Sequence, residues 1–350
     1  MSRTSRKQGG EARKLQVTGG STYIVSLPKK WITKNSLKKG SLLTFFEEED
    51  GSMSLLSSSE FERKEEQDEA LIKVSHSENP ETIIRKVVSV YLVGYNIMRI
   101  KACDEQQLSA EQRNKIKNFV RDMLVGTEIV TDTPKELTLQ VLLSYPELSI
   151  QSALRRMVII TSSMHRDAMT ALRDLDSQLA QSVIDTDDEV DRFNLYVVRQ
   201  LKTAIQNPKL VKEIGLTSAR DCLGYRLVTK SVERAADHAT NIADNVLLLK
   251  KPVDKEVLEE LEEMSGLAVS VFENAIESLF RLDFNLAESV IQKTNEIDFV
   301  GKEAFLSSKR IGKDEIANLR LVIESLRRTA EYASDIAEIV MNLTVKSVIG

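Results

Sequence analysis

The second half of the chain repeats itself, and a repeat of helical segments constrains the fold more strongly than any single motif. SVIDTDDEVD at 182–191 aligns with SVIQKTNEID at 289–298, and SVERAADHATNIADNV at 231–246 aligns with SLRRTAEYASDIAEIV at 325–340. In these segments apolar residues recur at three- and four-residue steps, which is typical of helices that bury one face. The alignment therefore predicts two copies of one helical unit.

Each copy is predicted to contain three helices. The two pairs of segments align at different offsets, 107 and 94 residues, so the first copy has extra connection around 206–217. An aspartate, Asp176 or Asp283, precedes the middle helix of each copy as an N-cap. We predict a mainly α fold of two tandem three-helix bundles, with helices at roughly 149–174, 177–205, 216–249, 253–281, 284–309 and 313–344.

The first copy carries two pairs of acids at four-residue spacing, Asp187 with Asp191 and Glu233 with Asp237. Carboxylates one helical turn apart repel each other unless a cation lies between them. Asp187 also interrupts an apolar stripe, where an unpaired charge is costly. If the two helices are adjacent, the four acids offer hard oxygen ligands for a divalent or trivalent ion such as Fe, Mn, Mg or, with fewer ligands, Zn. The alternative is that these acids are simply solvated.

The second copy departs from this pattern. Thr294 aligns with Asp187 and Arg327 aligns with Glu233, so only Asp298 and Glu331 remain. Two acids and a cation do not make a metal site, and we predict that Arg327 acts as a built-in counterion of Glu331 and Asp298. The alternative is that the arginine points to solvent.

Length and composition fit a globular protein of two or three domains. The chain has 350 residues, 42% of them hydrophobic and 29% charged. Its apolar runs are far shorter than the roughly 20 residues of a membrane span, and no signal pattern begins the sequence. We therefore expect a cytoplasmic protein without membrane insertion. Cys103 and Cys222 lie in different segments and are expected to be buried thiols.

The net charge of −5 conceals a basic N-terminus. Residues 1–40 contain ten lysines and arginines and one acid, a local charge of +9. A basic segment on an acidic body indicates binding to a polyanion, most simply nucleic acid. For residues 1–11 a solvated tail is the alternative.

Residues 12–56 predict a small β-rich domain. Leu15 and Val17 alternate with polar residues before Gly19-Gly20, and a second alternating strand ends near Leu27. A short helix from Lys29 to Leu37 follows and is capped at Gly40. A second hairpin is predicted from Ser41–Glu47 and Ser52–Leu56, with its turn at Glu49-Asp50-Gly51. So small a unit cannot bury a core alone, so we expect it to dimerise.

This order of strand, LPKKW, helix, KKG and strand resembles the AbrB/MazE (SpoVT-AbrB) family of swapped-hairpin DNA-binding dimers. The resemblance implies that basic side chains of the first hairpin and the short helix contact DNA. The matching residues here are Arg13, Lys14, Lys29, Lys30 and Lys34.

Between the two ends lies a predicted spacer. Residues 57–69 are polar and aperiodic and indicate a linker. Residues 70–147 predict a small α/β domain, with Ser109 and Gln112 set as a capping box. It lacks a phosphate loop and a cluster of catalytic residue types. Its predicted elements are strands at 70–74, 96–102, 127–131 and 137–142 and helices at 80–92 and 109–124.

The repeated unit, with ERAADHATNIA at 233–243 and the D-x-x-x-D of 187–191, resembles the PhoU phosphate-uptake regulators. The resemblance covers two bundles, 148–250 and 251–346. It implies metal ions bound by E/D-x-x-x-D pairs and a role in phosphate homeostasis beside the phosphate ABC transporter. The order of domains resembles an archaeal PhoU-type regulator.

We therefore predict a homodimeric, DNA-binding regulator of phosphate uptake. Enzymatic activity is not expected, because His76, His165 and His238 lie in different segments and the sequence has no nucleophile motif. One alternative is an adaptor that regulates the phosphate ABC transporter by protein contact alone. A second alternative is a MazE-like antitoxin, which the long helical half makes the weakest reading.

Overall fold

The computed structural model describes residues 11–47, 51–57, 69–103, 106–142, 148–206, 208–308 and 313–345. The chain divides into two compact units, Met1–Glu69 and Ala70–Gly350. Among the described helices, none is long and apolar enough to cross a membrane.

The N-terminal unit consists of two antiparallel hairpins and a short helix between them. Its elements are β1 (Gln16–Thr18), β2 (Thr22–Ile24), α1 (Lys29–Lys34), β3 (Leu43–Glu47) and β4 (Met53–Ser57). The two hairpins form separate two-stranded sheets. The predicted turn residues Glu49 and Asp50 lie outside the described residues.

Helix α1 ends three residues earlier than predicted. Ser36, not Gly40, takes the left-handed conformation at its end, with φ of 54°. The amide of Leu37 then donates to the carbonyl of Ile32 at 3.0 Å, which closes a Schellman-type cap. Gly40, with φ of 92°, lies in the following turn.

Among the apolar side chains of this unit whose burial the structure describes, none is buried. Eight large apolar residues are 45% or more exposed: Leu15, Val17, Tyr23, Ile24, Val25, Leu42, Phe45 and Met53. A single copy of the unit therefore leaves these eight side chains in water, where they contribute little to its stability.

The second unit begins with a four-stranded sheet in the order β5-β6-β8-β7. Its elements are β5 (Glu69–Val74), α2 (Pro80–Val93), β6 (Ile97–Ala102), α3 (Ala110–Met123), β7 (Thr127–Asp132) and β8 (Glu136–Val141). Strand β8 pairs antiparallel with both β6 and β7. The predicted capping box is confirmed, because Gln112 N donates to Ser109 Oγ and Gln112 Oε1 accepts from Ser109 N. Apolar side chains such as Val74, Ile100 and Leu139 form its core.

In the part of the chain that the structure describes, six long helices and one short one follow. They are α4 (Ile150–Asp174), α5 (Ser177–Gln206), α6 (Pro208–Glu213), α7 (Asp221–Leu248), α8 (Lys255–Arg281), α9 (Phe284–Ser308) and α10 (Lys313–Thr344). Both predicted N-caps are confirmed: Asp176 Oδ1 accepts from Leu179 N at 3.0 Å, and Asp283 Oδ1 accepts from Leu286 N at 3.0 Å.

The third predicted helix of the first copy was placed too early. It begins at Asp221, and α6 occupies part of the predicted connection. Gly215 has φ of 85° and stops α6. Asp221 then accepts hydrogen bonds from the hydroxyls of Thr217 and Ser218, which hold the chain in a turn before α7.

The two bundles share one continuous core. Helices α7 and α10 pack against each other extensively and run antiparallel, since Gly224 near the start of α7 lies against Ile339 and Leu343 near the end of α10. Cys222 is buried in this core as expected, but Cys103 in the sheet domain is half-buried and so only partly matches the expectation.

Candidate functional site

The structure brings together the four acids predicted from the first copy. Asp187 and Asp191 lie on α5, and Glu233 and Asp237 lie on α7, which packs against α5. Glu233 is buried and the other three are half-buried. Each helix places its two acids one turn apart on one face. The four carboxylates therefore share one acidic face of the first bundle.

Mutual repulsion on this face is visible in the ionisation of the acids. Burial raises the pKa of Asp187 to about 7, and the charges of Asp191, Asp237 and Glu233 add to the rise. Burial and then Glu233 and Asp237 raise the pKa of Asp191 to about 6, against the opposing effect of Lys230. The pKa of Asp237 is also raised, first by burial and then by Glu233. The face has more negative charge than its surroundings neutralise.

Asp187 is the least satisfied member of this face. Its Oδ1 atom is buried and has no hydrogen-bond partner among the described residues. A buried carboxylate oxygen without a donor is costly to stability. This agrees with its place in the apolar stripe and marks it as an atom that a cation could satisfy.

One contact on this face was missed from the sequence. Lys230 Nζ donates to both carboxylate oxygens of Glu233, one turn further along α7. Among the described residues, no three His, Cys, Asp or Glu side chains are arranged to hold a metal ion as they stand. The donor set fits a hard cation, but binding would require the lysine to leave Glu233 and the carboxylates to draw together.

Two histidines lie between the bundles rather than at the acidic face. His165 is fully buried on α4, and its Nε2 is 2.9 Å from the carbonyl oxygen of Ala235 on α7 and 3.2 Å from Thr329 Oγ1 on α10. Burial lowers its pKa to about 4. His238 of α7 lies beside Tyr332 of α10, with ring centroids 5.7 Å apart. Both residues support the packing of the two copies against each other.

The second copy places an ion-pair network where the first has its acids. Arg327 contacts Glu331 as predicted. It also contacts Glu324, a pairing that was not predicted from the sequence. Arg328 contacts the same two glutamates. The side chain of Asp298, the other predicted partner, lies outside the described residues.

The five residues predicted to contact DNA are all exposed in the N-terminal unit. Lys29, Lys30 and Lys34 lie on α1, and Arg13 and Lys14 lie in the extended segment before β1. Arg13 forms an ion pair with Glu11 at 2.5 Å. The exposure leaves these cations accessible to a polyanion.

Comparison with known proteins found a match for the helical half of the chain and another for its N-terminal unit. Residues 154–246 and 261–340 match the PhoU domain, and residues 16–57 match the family described as antidote-toxin recognition MazE, bacterial antitoxin. The phosphate-specific transport system accessory protein PhoU homolog 1 of Thermotoga maritima is 26% identical over 54% of this chain and 83% of its own length. The homolog of Borreliella burgdorferi is 25% identical over 49% of this chain and 81% of its own.

A solved structure, PhoU from Pseudomonas aeruginosa, has a TM-score of 0.50 at 22% identity and covers 56% of this chain and 96% of the solved chain. This likeness concerns the fold. The chain is thus a protein of two tandem three-helix bundles, and a small β-rich domain precedes them in the sequence. Its helical half belongs to the PhoU family, and its N-terminal region carries a MazE-like domain.

Proposed function

We propose that this chain is a DNA-binding regulator of phosphate uptake, in which the PhoU half relays the state of phosphate transport to the N-terminal domain. The observation that carries the proposal is the presence of both domains in one chain. Relatives of the helical half are transport system accessory proteins. Such a regulator would act in the cytoplasm, where DNA is accessible.

Dimerisation of the N-terminal unit is part of this proposal. Strands that expose Val17, Tyr23 and Phe45 have apolar surface that a second copy of the same strands would cover. Two copies would also double the number of cations from α1 and the segment before β1, which strengthens binding to a phosphate backbone.

DNA binding is tested by its dependence on salt. If Arg13 and Lys14 neutralise phosphates, the log of the affinity for upstream DNA falls with log salt by about 0.9 per contact, and replacing both by alanine flattens that slope by about 1.8 for each subunit of the bound dimer, about 3.6 in all. Gel-shift or anisotropy titrations at several salt concentrations measure this. Lys101→Ala with Lys293→Ala, which removes two exposed lysines of the second unit, is the matched control. Equal slopes for all three proteins would count against this surface.

The second candidate is an adaptor that regulates the phosphate ABC transporter by protein contact and does not bind DNA. It is favoured by the relatives, which are named as phosphate-specific transport system accessory proteins. In this case the Arg13 and Lys14 variant would still bind transporter components, and no salt-sensitive DNA binding would be found in the parent.

We also propose that Asp187, Asp191, Glu233 and Asp237 bind a divalent or trivalent ion, with Fe, Zn, Mn and Mg as candidates. The unpartnered Oδ1 of Asp187 and the raised pKa values of three of the acids support it. A bound cation would relieve their repulsion and hold α5 against α7.

Removal of one ligand tests the metal site. Asp187→Asn is expected to lower the metal content sharply after chelation and re-addition, because the remaining acids lose charge and geometry. Without metal at pH 8, the same variant should be more stable than the parent, since it no longer buries a charge at position 187. Elemental analysis and thermal unfolding measure the two effects. Asp185→Asn, an exposed neighbour on α5, is the control. A parent protein that never takes up a stoichiometric ion would rule the site out.

A further inference from the structure

We propose that the second bundle neutralises its equivalent face with its own arginines and takes up no metal ion, so that cation binding in this chain is confined to the first bundle. The confinement of cation binding to the first bundle rests on the metal site proposed above. The neutralisation of the second bundle by its own arginines rests on the contacts of α10 alone.

The contacts of Arg327 show a fully engaged cation. Its Nε and Nη2 atoms donate to the two carboxylate oxygens of Glu324 at 3.0 and 2.7 Å, and its Nη1 atom donates to Glu331. Arg328 adds bonds of 3.1 Å to Glu324 and 2.9 Å to Glu331. Both oxygens of Glu331 are therefore held by guanidinium groups. A metal ion would have to displace two arginines to reach this one acid.

At position 294 the neighbouring helix α9 offers no charge in compensation. Thr294, which aligns with Asp187, donates its hydroxyl to the carbonyl of Val290 on its own helix at 3.0 Å. A neutral hydroxyl bonded in this way brings no negative charge to a cation. In the first copy the equivalent position carries a buried carboxylate oxygen that lacks a donor. The two copies thus differ in charge on both helices.

The two repeats contain the same ion pair with the signs exchanged. In the first copy Lys230 pairs with Glu233 three residues later, and at the aligned positions of the second copy Glu324 pairs with Arg327. Lys230 does not occupy any of the four acid positions, so its movement would leave carboxylates at all four of them. Arg327 occupies one of the four aligned positions itself, so its movement would leave carboxylates at two of them, Asp298 and Glu331. Exchange of the built-in cation for a metal is therefore favourable only in the first copy.

The arginines also act on the ionisation of the acids that they contact. The hydrogen bond from Arg327, together with the charges of Arg327 and Arg328, holds the pKa of Glu324 below its usual value. This face of the second copy is therefore supplied with positive charge by its own helix.

The decisive experiment counts bound Mn²⁺ per full-length chain by equilibrium dialysis and elemental analysis. The parent, Asp187→Asn, and Asp187→Asn combined with Thr294→Asp and Arg327→Glu are compared. We expect Asp187→Asn to lose nearly all bound Mn²⁺. The triple variant should bind about one Mn²⁺ per chain again. Retention of half or more of the parent's Mn²⁺ when all four acids of the first copy are replaced by their amides would place metal in the second bundle and overturn the inference.

The outcomes separate this inference from the metal site of the first bundle. A parent without Mn²⁺ and a triple variant with it would remove that site but support the account of the second copy. A folded triple variant that binds no Mn²⁺ would show that more than these two side chains separates the copies, and would overturn that account.

A second variant keeps the test valid if the triple variant fails to fold. Arg327→Met is expected to lower the midpoint of thermal unfolding by several degrees, and by the same amount with and without Mn²⁺, since it removes a built-in cation and creates no ligand. Lys293→Met, which removes an exposed cation from α9 of the same bundle, serves as the control. An unchanged midpoint for Arg327→Met would mean that the arginine is merely solvated, and the inference would fail.

Discussion

At the scale of single residues, His165 shows what the packing of the two copies demands. It is a buried polar side chain on α4 whose Nε2 reaches backbone of α7 and a hydroxyl of α10, while its Nδ1 is buried and has no hydrogen-bond partner in the described part of the chain. An imidazolium at this place would be a buried charge close to His238 and Arg166, which both disfavour it. The neutral ring is therefore a condition of the native packing.

This gives a prediction about pH. Because the pKa of His165 in the folded protein is about 4 and an ordinary histidine has a pKa near 6.5, the unfolded chain binds more protons between these values. The free energy of unfolding should then fall by up to about 3 kcal/mol as the pH drops from 6.5 to 4. His165→Phe, which places an aromatic ring there as Phe272 does at the aligned position of the second copy, should reduce that loss.

Urea unfolding at pH 7.5 and pH 4.5 measures the effect as the difference between parent and variant at each pH. His76→Phe changes a histidine that is exposed and is the control. The prediction fails if His165→Phe loses as much stability on acidification as the parent and the control.

Residue-level contacts were also where the sequence was least informative. The four acids of the first bundle were found because a four-residue spacing on a helix fixes which side chains share a face. The pairing of Lys230 with Glu233, and of Arg327 with Glu324, was not found, because several partners lie within reach and periodicity does not choose among them. The missed signal was the exchange of sign at aligned positions, which is readable in the sequence.

At the scale of elements, long periodic helices were predicted within a few residues of their ends, and caps such as Asp176 and Asp283 were identified correctly. The errors fall where local hydrogen bonds override the pattern. The serine cap after α1 and the Thr217 and Ser218 turn before α7 are two examples. The short helix α6 was missed because it begins at a proline in a stretch that lacks a long apolar period.

Helix α5 connects two parts of the second unit that the sequence presents as separate. Arg199 on α5 is 2% exposed and donates to the carbonyl oxygens of Tyr91 and Gly94 and to Asn96 Oδ1, all at the end of α2. Its guanidinium also lies 4.7 Å from the centroid of the Tyr91 ring. A cation at a helix C-terminus interacts favourably with the carbonyl ends of that helix. Arg199 therefore fixes the sheet domain to the helix that carries Asp187 and Asp191.

Arg199→Met is predicted to weaken this attachment. Buried carbonyl oxygens would lose their donor, at a cost of about 3 kcal/mol. Hydrogen exchange should then accelerate in α2 and β6, while α8 and α9 remain protected. Lys202→Met removes an exposed cation from the same helix and is the control. Unchanged exchange in α2 would show that the sheet domain is held by its apolar contacts alone.

At the scale of the whole molecule, the chain combines a unit whose described apolar side chains are all partly or fully exposed with one that has a large continuous core. The sequence predicted this contrast correctly, since 45 residues of hairpin and short helix cannot enclose a core whereas six amphipathic helices can. It could not predict that the two bundles share their core, because aligned copies reveal which helices are equivalent and not which of them touch.

The antiparallel pairing of α7 with α10 is the geometry by which two identical subunits meet across a twofold axis. In a true homodimer every substitution appears twice, once on each side of that axis. Joining the two copies in one chain removes this obligation. The two copies can then differ at equivalent positions, as Glu233 and Arg327 do. A single chain can therefore carry an acidic face in one copy and an arginine–glutamate network on the equivalent face of the other.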